Sequence, residues 1–286
     1  MQCAKRLHLE FHRPDEIPEP TVRHQFLMEA GKQLLELACQ GFPNGRSVDT
    51  DDADEAAEQT REILSQEEGA AVFNASFVSD QAEVRCDIVL PTGSGQLDIF
   101  EVKSGTKVKL RHIMDLAFQV HTIEACGHTV RHANILHLSP DYLHDGGKDL
   151  PAHAVFKNVD VSSKVRKRMA GARARIDNYL NVLSDETTLE LPMGTWCSAP
   201  IPCHYLEQCR EEASAHPLLE LPDITAVLES ELHQEGIEDL QQLDEKRDGL
   251  TLIQRRALRS VATDQMVVEP SGHKNLDEAD YPIGVV

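Results

Sequence analysis

No stretch of this sequence is long and apolar enough to span a bilayer, and its opening residues, Met1-Gln-Cys-Ala-Lys, lack the apolar run of a secretory leader. The expectation is a cytoplasmic chain with no membrane partner. Cations are scarce: 28 Lys and Arg stand against 48 Asp and Glu, for a formal net charge of −20. Taken whole, that balance works against binding a polyanion, because phosphate contacts are made by Lys and Arg. The fourteen histidines are scattered, and His128, His132, His137 and His144 lack the spacing of a metal site. They read as polar packing or surface. The seven cysteines are an odd number, unevenly placed. In a reducing compartment such a set points to metal ligation plus buried free thiols rather than to disulfides.

What is present is unevenly distributed. Residues 49–58 hold six acids and no base, whereas residues 161–175 hold Lys164, Arg166, Lys167, Arg168, Arg173 and Arg175 and no acid. Lys103, Lys107, Lys109 and Arg111 form a second basic cluster. The local field near a site outweighs net charge in drawing an anionic ligand. The 161–175 run fits a solvated helix face or a DNA-backbone contact equally well. The length of 286 residues suits one large domain or two small ones.

The most informative stretch runs from Glu83 to Gln119. Two β-like runs, Glu83 to Pro91 and Gln96 to Lys103, flank Thr92-Gly-Ser-Gly95 and predict a hairpin. A helix follows from about Leu110 to Cys126, with Ile113, Leu116, Ala117, Val120 and Ile123 along one stripe and Gln119 beside it. Asp87 lies on the first strand. Glu101 and Lys103 are two apart on the second, so their side chains leave the same face. Two carboxylates and an ammonium on one sheet can hold a hard divalent cation and position a water beside a phosphate.

This arrangement resembles the active site of the PD-(D/E)XK nucleases, in particular the RecB-like branch. The resemblance rests on Asp87, on Glu101-Val102-Lys103 and on Gln119 of the next helix. It implies an α/β fold with a restriction-endonuclease-like core, a central mixed sheet flanked by helices. It implies a metal-dependent DNA nuclease acting on single-stranded DNA or DNA ends. Asp87, Glu101 and the Val102 carbonyl would hold Mg²⁺ or Mn²⁺, Lys103 would act on the attacking water, and Gln119 would place Lys103 or the DNA. Glu36, on an early helix capped by Thr21, is a candidate further ligand. Lys107, Lys109, Arg166, Lys167 and Arg168 are candidate DNA contacts. Three positions depart from the family pattern: Leu35-Glu36 replaces a His, Asn74 replaces a frequent acid, and Ile123 replaces the Tyr that follows the Gln. The rival reading is a nuclease-fold module that grips DNA or serves as a scaffold without cutting.

Cys197, Cys203 and Cys209 form a Cys-x5-Cys-x5-Cys series. Three thiols in a dozen residues point to a metal site, and Cys3 is a possible fourth. RecB-like relatives of the AddB type, and nucleases of CRISPR adaptation, carry one cysteine ahead of the nuclease motifs and three after them, on a 4Fe–4S cluster. The order here is similar, which implies an iron–sulfur cluster, with Zn²⁺ as the alternative. Cys39, Cys86 and Cys126 read as free buried thiols.

Elsewhere the pattern predicts a short N-terminal helix with Leu7 and Phe11 on one face, and a strand over residues 70–78 that pairs with the hairpin. It also predicts a strand over 129–138 parallel to a neighbour, and one long helix from Val161 to Leu183. The expected organisation is a nuclease domain over 1–210 and a helical appendage over 211–286. Little-characterised bacterial proteins that open with a similar Gln-Cys-x-Lys-Arg-Leu pattern continue past the equivalent of Asp280–Val286 into an exonuclease-like domain.

Overall fold

The computed structural model describes residues 3–66, 69–79, 82–93, 95–144, 146–147, 150–184, 191–199 and 202–267. Gln2, Ser94 and the segment Asp280–Val286, all invoked above, lie outside the described residues. The chain forms two compact units. One comprises Met1–Glu19 together with Glu186–Val286, the other Pro20–Asp185. The sequence expectation placed a boundary near residue 210, whereas the compact units part near residue 186. All four cysteines of the proposed metal site therefore fall in the first unit.

In chain order the elements are α1 (Ala4–His12), α2 (Val22–Cys39), β1 (Arg46–Ser47), α3 (Ala53–Gln66), β2 (Val72–Val78), β3 (Glu83–Pro91), β4 (Gln96–Lys103), α4 (Leu110–Ala125) and β5 (Thr129–Leu138). They continue with α5 (Ala152–Val155), β6 (Phe156–Asp160), α6 (Ser162–Arg166), α7 (Met169–Ser184), α8 (Leu206–Glu212), α9 (Ala226–Gln234) and α10 (Leu252–Thr263). The α/β class and the mixed sheet flanked by helices are as expected. Strand order is β1-β2-β3-β4-β5-β6. The β2-β3-β4 meander is antiparallel, β4 runs parallel to β5, β1 parallel to β2, and β6 antiparallel to β5.

The Pro20–Asp185 unit buries both faces of this sheet. Val72, Ala75, Cys86, Val89, Leu97, Ile99 and Ile135 pack with Ala56 and Ile63 of α3, with the Ile113–Ile123 stripe of α4, and with Val165 and Ala172 of α6 and α7. Phe73, Ile88, Leu136 and Phe156 pack on the opposite face with Ala38 of α2 and Val155 of α5. Between β4 and β5 the register shifts at Arg131, whose guanidinium holds the buried Asp98 carboxylate at 2.9 and 2.5 Å. Beyond this bulge Glu101 sits opposite Ile135 and Lys103 opposite His137.

Three expectations are corrected. First, the buried residues of α1 are Lys5, His8 and Leu9, while Phe11 is 60 % exposed. Lys5 is drawn inward because its Nζ meets Glu212 at 2.6 Å. Second, the helix from Val161 to Leu183 is broken at Lys167–Arg168, dividing α6 from α7. At the end of α6 the Arg166 side chain is drawn onto the Val130 carbonyl at 2.6 Å and the Glu124 carboxylate at 2.8 Å. Third, β1 and β6 carry no alternating pattern and were not expected. β1 pairs with Val72 and Phe73, and the Phe73 ring packs against Gly45 just before it, where a Cβ would come within 2.1 Å of the ring.

In the other unit, Leu218, Leu221, Leu232, Leu240, Leu243, Leu250 and Leu258 make a small core around α9 and α10. Thr225 and Thr251 cap those helices, accepting the Leu228 and Gln254 N–H groups at 3.2 Å.

Candidate active site

Alternation along β4 continues from Leu97 and Ile99 to Glu101 and Lys103, so both charged side chains lie on the α4 side of the sheet. Glu101 is 8 % exposed and its two oxygens are separately engaged. Oε1 accepts from Lys103 Nζ at 2.6 Å, and Oε2 accepts from Gln119 Nε2 at 2.8 Å. Lys103 also lies 3.7 Å from Asp115 Oδ2.

Asp87 enters from β3. The β3–β4 ladder runs to Ile88 opposite Phe100, and one further step sets Asp87 opposite Glu101. Its Oδ2 accepts the Val102 N–H at 2.7 Å. The β2–β3 ladder skips Asp87 and the facing Asn74, which adopts a left-handed backbone with φ of 54°. Core-facing alternation changes phase at this pair. Val72 is followed by Ala75 and Phe77 on one strand, and Cys86 by Val89 on the other. A left-handed Asn inside a strand is a strained feature of the kind that clusters at working sites. Here it frees Asp87 from the pleat.

The electrostatics follow from this crowding. Burial, then the Glu101 charge, pushes the Asp87 carboxyl up to about 7, against the pull of the Val102 N–H and Lys103. Burial works to lower the Lys103 ammonium, but the charges of Glu101, Asp115 and Asp87 outweigh it and raise its pKa. His112, buried in the first turn of α4, is pushed down to about 4 by burial and by Lys103, Arg111 and Lys109. It is therefore neutral, and its Nδ1 accepts the Lys109 N–H at 3.3 Å.

Two comparisons return nothing: no family model matches the chain, and no curated protein matches it. Among solved structures, the crystal structure of SSO0001 is similar at 12 % identity and a TM-score of 0.30, covering 74 % of this chain and 83 % of that one. A protein from Eubacterium rectale, provisionally described as an exonuclease, is similar at 12 % identity and a TM-score of 0.30. That match covers 59 % of this chain and 60 % of the other.

The fold thus gathers Asp87, Glu101, Val102, Lys103 and Gln119 at one place. Glu36 is exposed on α2. Cys39, further along α2, has its thiol raised to about 11 by burial and then by the charges of Asp87 and Glu36. Lys107, Lys109, Lys167 and Arg168 are exposed. Arg166, although exposed, is tied to Glu124 and Val130. Of the other thiols, Cys86 is fully buried, whereas Cys39 and Cys126 are half-buried. Sequence reasoning missed His112, Asp115 and the Asn74 backbone. The first two were within reach, because positions 112, 115 and 119 share one helix face at spacings of three and four.

Gln119 offers a direct check on the construction. Replacing it with Leu removes one of the two bonds that aim Glu101. A hydrogen bond to a charged group contributes about 1.5–3 kcal/mol, so the variant is expected to be less stable by roughly that amount. Denaturant titration would read this loss, and a midpoint equal to the parent's would show that Gln119 does not hold Glu101.

Proposed function

We propose that the chain is a metal-dependent DNA nuclease of the RecB-like PD-(D/E)XK type, acting on single-stranded DNA or DNA ends in the cytoplasm. The observation that carries this reading is the bonded series Gln119–Glu101–Lys103, with Asp87 anchored beside it on Val102. Asp87 and Glu101, with the Val102 carbonyl, are the oxygen donors that Mg²⁺ or Mn²⁺ prefers. A bound dication supplies charge stabilisation on the phosphate and lowers the pKa of water. Lys103 orients the attacking water and offsets negative charge developing on the phosphate. Gln119 and Asp115 fix the two β4 side chains from α4. Exposed Lys107 and Lys109 flank the site as contacts for the DNA backbone, with Lys167 and Arg168 on the α6–α7 junction as further ones.

The proposal includes a second metal site on Cys3, Cys197, Cys203 and Cys209, taking an iron–sulfur cluster or Zn²⁺. The donor chemistry fits. Cys197 is raised mainly by burial and, in smaller part, by the charges of Cys3, Cys209 and Cys203, as expected of thiols recruited to one site. Backbone N–H groups of Gly194 and Tyr205 point at the Cys197 and Cys203 sulfurs.

One observation favours the rival reading of a DNA-gripping module. Among the described residues, no group of three or more His, Cys, Asp or Glu is placed to hold a single metal ion, neither around Asp87 and Glu101 nor among the four thiols, which at the thiols weighs against Zn²⁺ and leaves the wider iron–sulfur cluster as the reading. Titrating Mn²⁺ against end-labelled single-stranded DNA separates the two readings. The nuclease shortens the label and EDTA stops it. A label that stays full length while the DNA is bound would overturn the nuclease and leave the gripping module.

A further inference from the structure

We propose that Glu229 is a positioning residue for the four-thiol site, a carboxylate on α9 that sets the backbone turn carrying Cys197. The inference rests on the reading of Cys3, Cys197, Cys203 and Cys209 as ligands of a metal ion or iron–sulfur cluster.

Glu229 is 1 % exposed. Its Oε1 accepts the Thr195 N–H at 2.8 Å and its Oε2 the same N–H at 3.1 Å, while the Thr195 hydroxyl donates to Oε2 at 2.7 Å. Thr195 opens the short 3-10 turn Thr195–Cys197. The turn is closed by the Cys197 N–H on the Gly194 carbonyl at 2.8 Å, and the Gly194 N–H points back at Cys197 Sγ at 3.5 Å. From there the Cys203 N–H reaches the Cys197 carbonyl at 2.8 Å. One carboxylate therefore grips one side of a turn whose other side presents a thiol and hands the chain on to the next.

The approach is close. A Cβ at Gly194 would stand 2.7 Å from Glu229 Oε1 and 2.5 Å from the Trp196 ring, so only glycine admits both neighbours. Glu229 is held in turn by its own helix. Leu228 and Leu232 of α9 pack in the leucine cluster with Leu218, Leu221 and Leu240. Burying a carboxylate is costly unless donors satisfy it. Both oxygens here are spent on one residue, two positions from a candidate ligand. Supports of this kind, which fix a ligand without touching the metal, alter metal affinity roughly 10- to 100-fold when removed. Through Glu229, α9 supports the turn that carries Cys197.

The test uses the full chain, purified anaerobically, with iron and zinc measured by elemental analysis and metal release to a chelator followed in time. Glu229→Ala and Thr195→Val are expected to release metal roughly 10- to 100-fold faster than the parent. Thr195→Ser keeps both donors and should release it at the parent's rate. Circular dichroism reports folding. If Glu229→Ala misfolds, the Thr195→Val and Thr195→Ser pair decides. Folded variants that hold metal as firmly as the parent overturn the positioning role and leave the metal site standing. A parent that carries neither iron nor zinc after reconstitution overturns the metal site, and the role of Glu229 with it.

Discussion

In the proposed nuclease, Lys103→Ala is expected to remove metal-dependent cleavage almost entirely, by roughly 10²- to 10⁴-fold, while leaving the fold intact. The Lys103 ammonium touches Glu101 and would offset negative charge on a phosphate in the proposed reaction. Its ion pair with Glu101 at 2.6 Å makes a second outcome measurable. A divalent cation must compete with that ammonium for Glu101 Oε1. Removing the ammonium should therefore leave Mn²⁺ affinity unchanged or tighter, even as turnover collapses. Calorimetric titration of Mn²⁺ beside a cleavage assay reads both. Cleavage at the parent's rate would remove Lys103 from the chemistry.

Asp87→Asn should have opposite effects on turnover and stability. Cleavage should be lost with the carboxylate, yet the metal-free variant should melt higher than the parent above pH 7. The folded state raises this carboxyl from 3.8 to about 7, because burial and the neighbouring Glu101 oppose its charge. A raised acid is penalised in its charged form. The penalty is absent below the usual carboxylate range, grows as pH rises through it, and is complete above about 7. Asn carries no such penalty, and its side-chain oxygen still accepts the Val102 N–H. The gain in melting temperature should be on the order of a few degrees at pH 8 and should shrink steadily between pH 7 and pH 4. A difference that does not change over that range would show that Asp87 is not held against its charge. Such a trade of stability for function is common where a site gathers like charges.

The parts of the site that follow a simple period were legible. Glu101 and Lys103 share a strand face, Gln119 lies on the α4 stripe, and Thr21 caps α2 as its side chain predicts, accepting the His24 N–H at 3.3 Å. The antiparallel meander and the parallel β5 followed from the same patterns. What escaped depends on contacts between segments distant in sequence. β1 is two residues long, and beside it the ring of Phe73, distant in sequence, covers Gly45. The break between α6 and α7 coincides with Arg166 reaching carbonyl and carboxylate groups some forty residues upstream. Asn74 looks like an ordinary strand residue until its backbone turns left-handed opposite Asp87. The inward face of α1 was misjudged because Lys5 is buried by an ion pair rather than by apolar character.

That same ion pair has a consequence for biosynthesis. Lys5 and Glu212 are 207 residues apart. At about 5–20 residues per second, a ribosome delivers the second roughly 10–40 s after the first. Throughout that interval α9 and α10 are still missing, and Pro20–Asp185 has time to complete its sheet first. α1 therefore waits for Glu212 before Lys5 can pair.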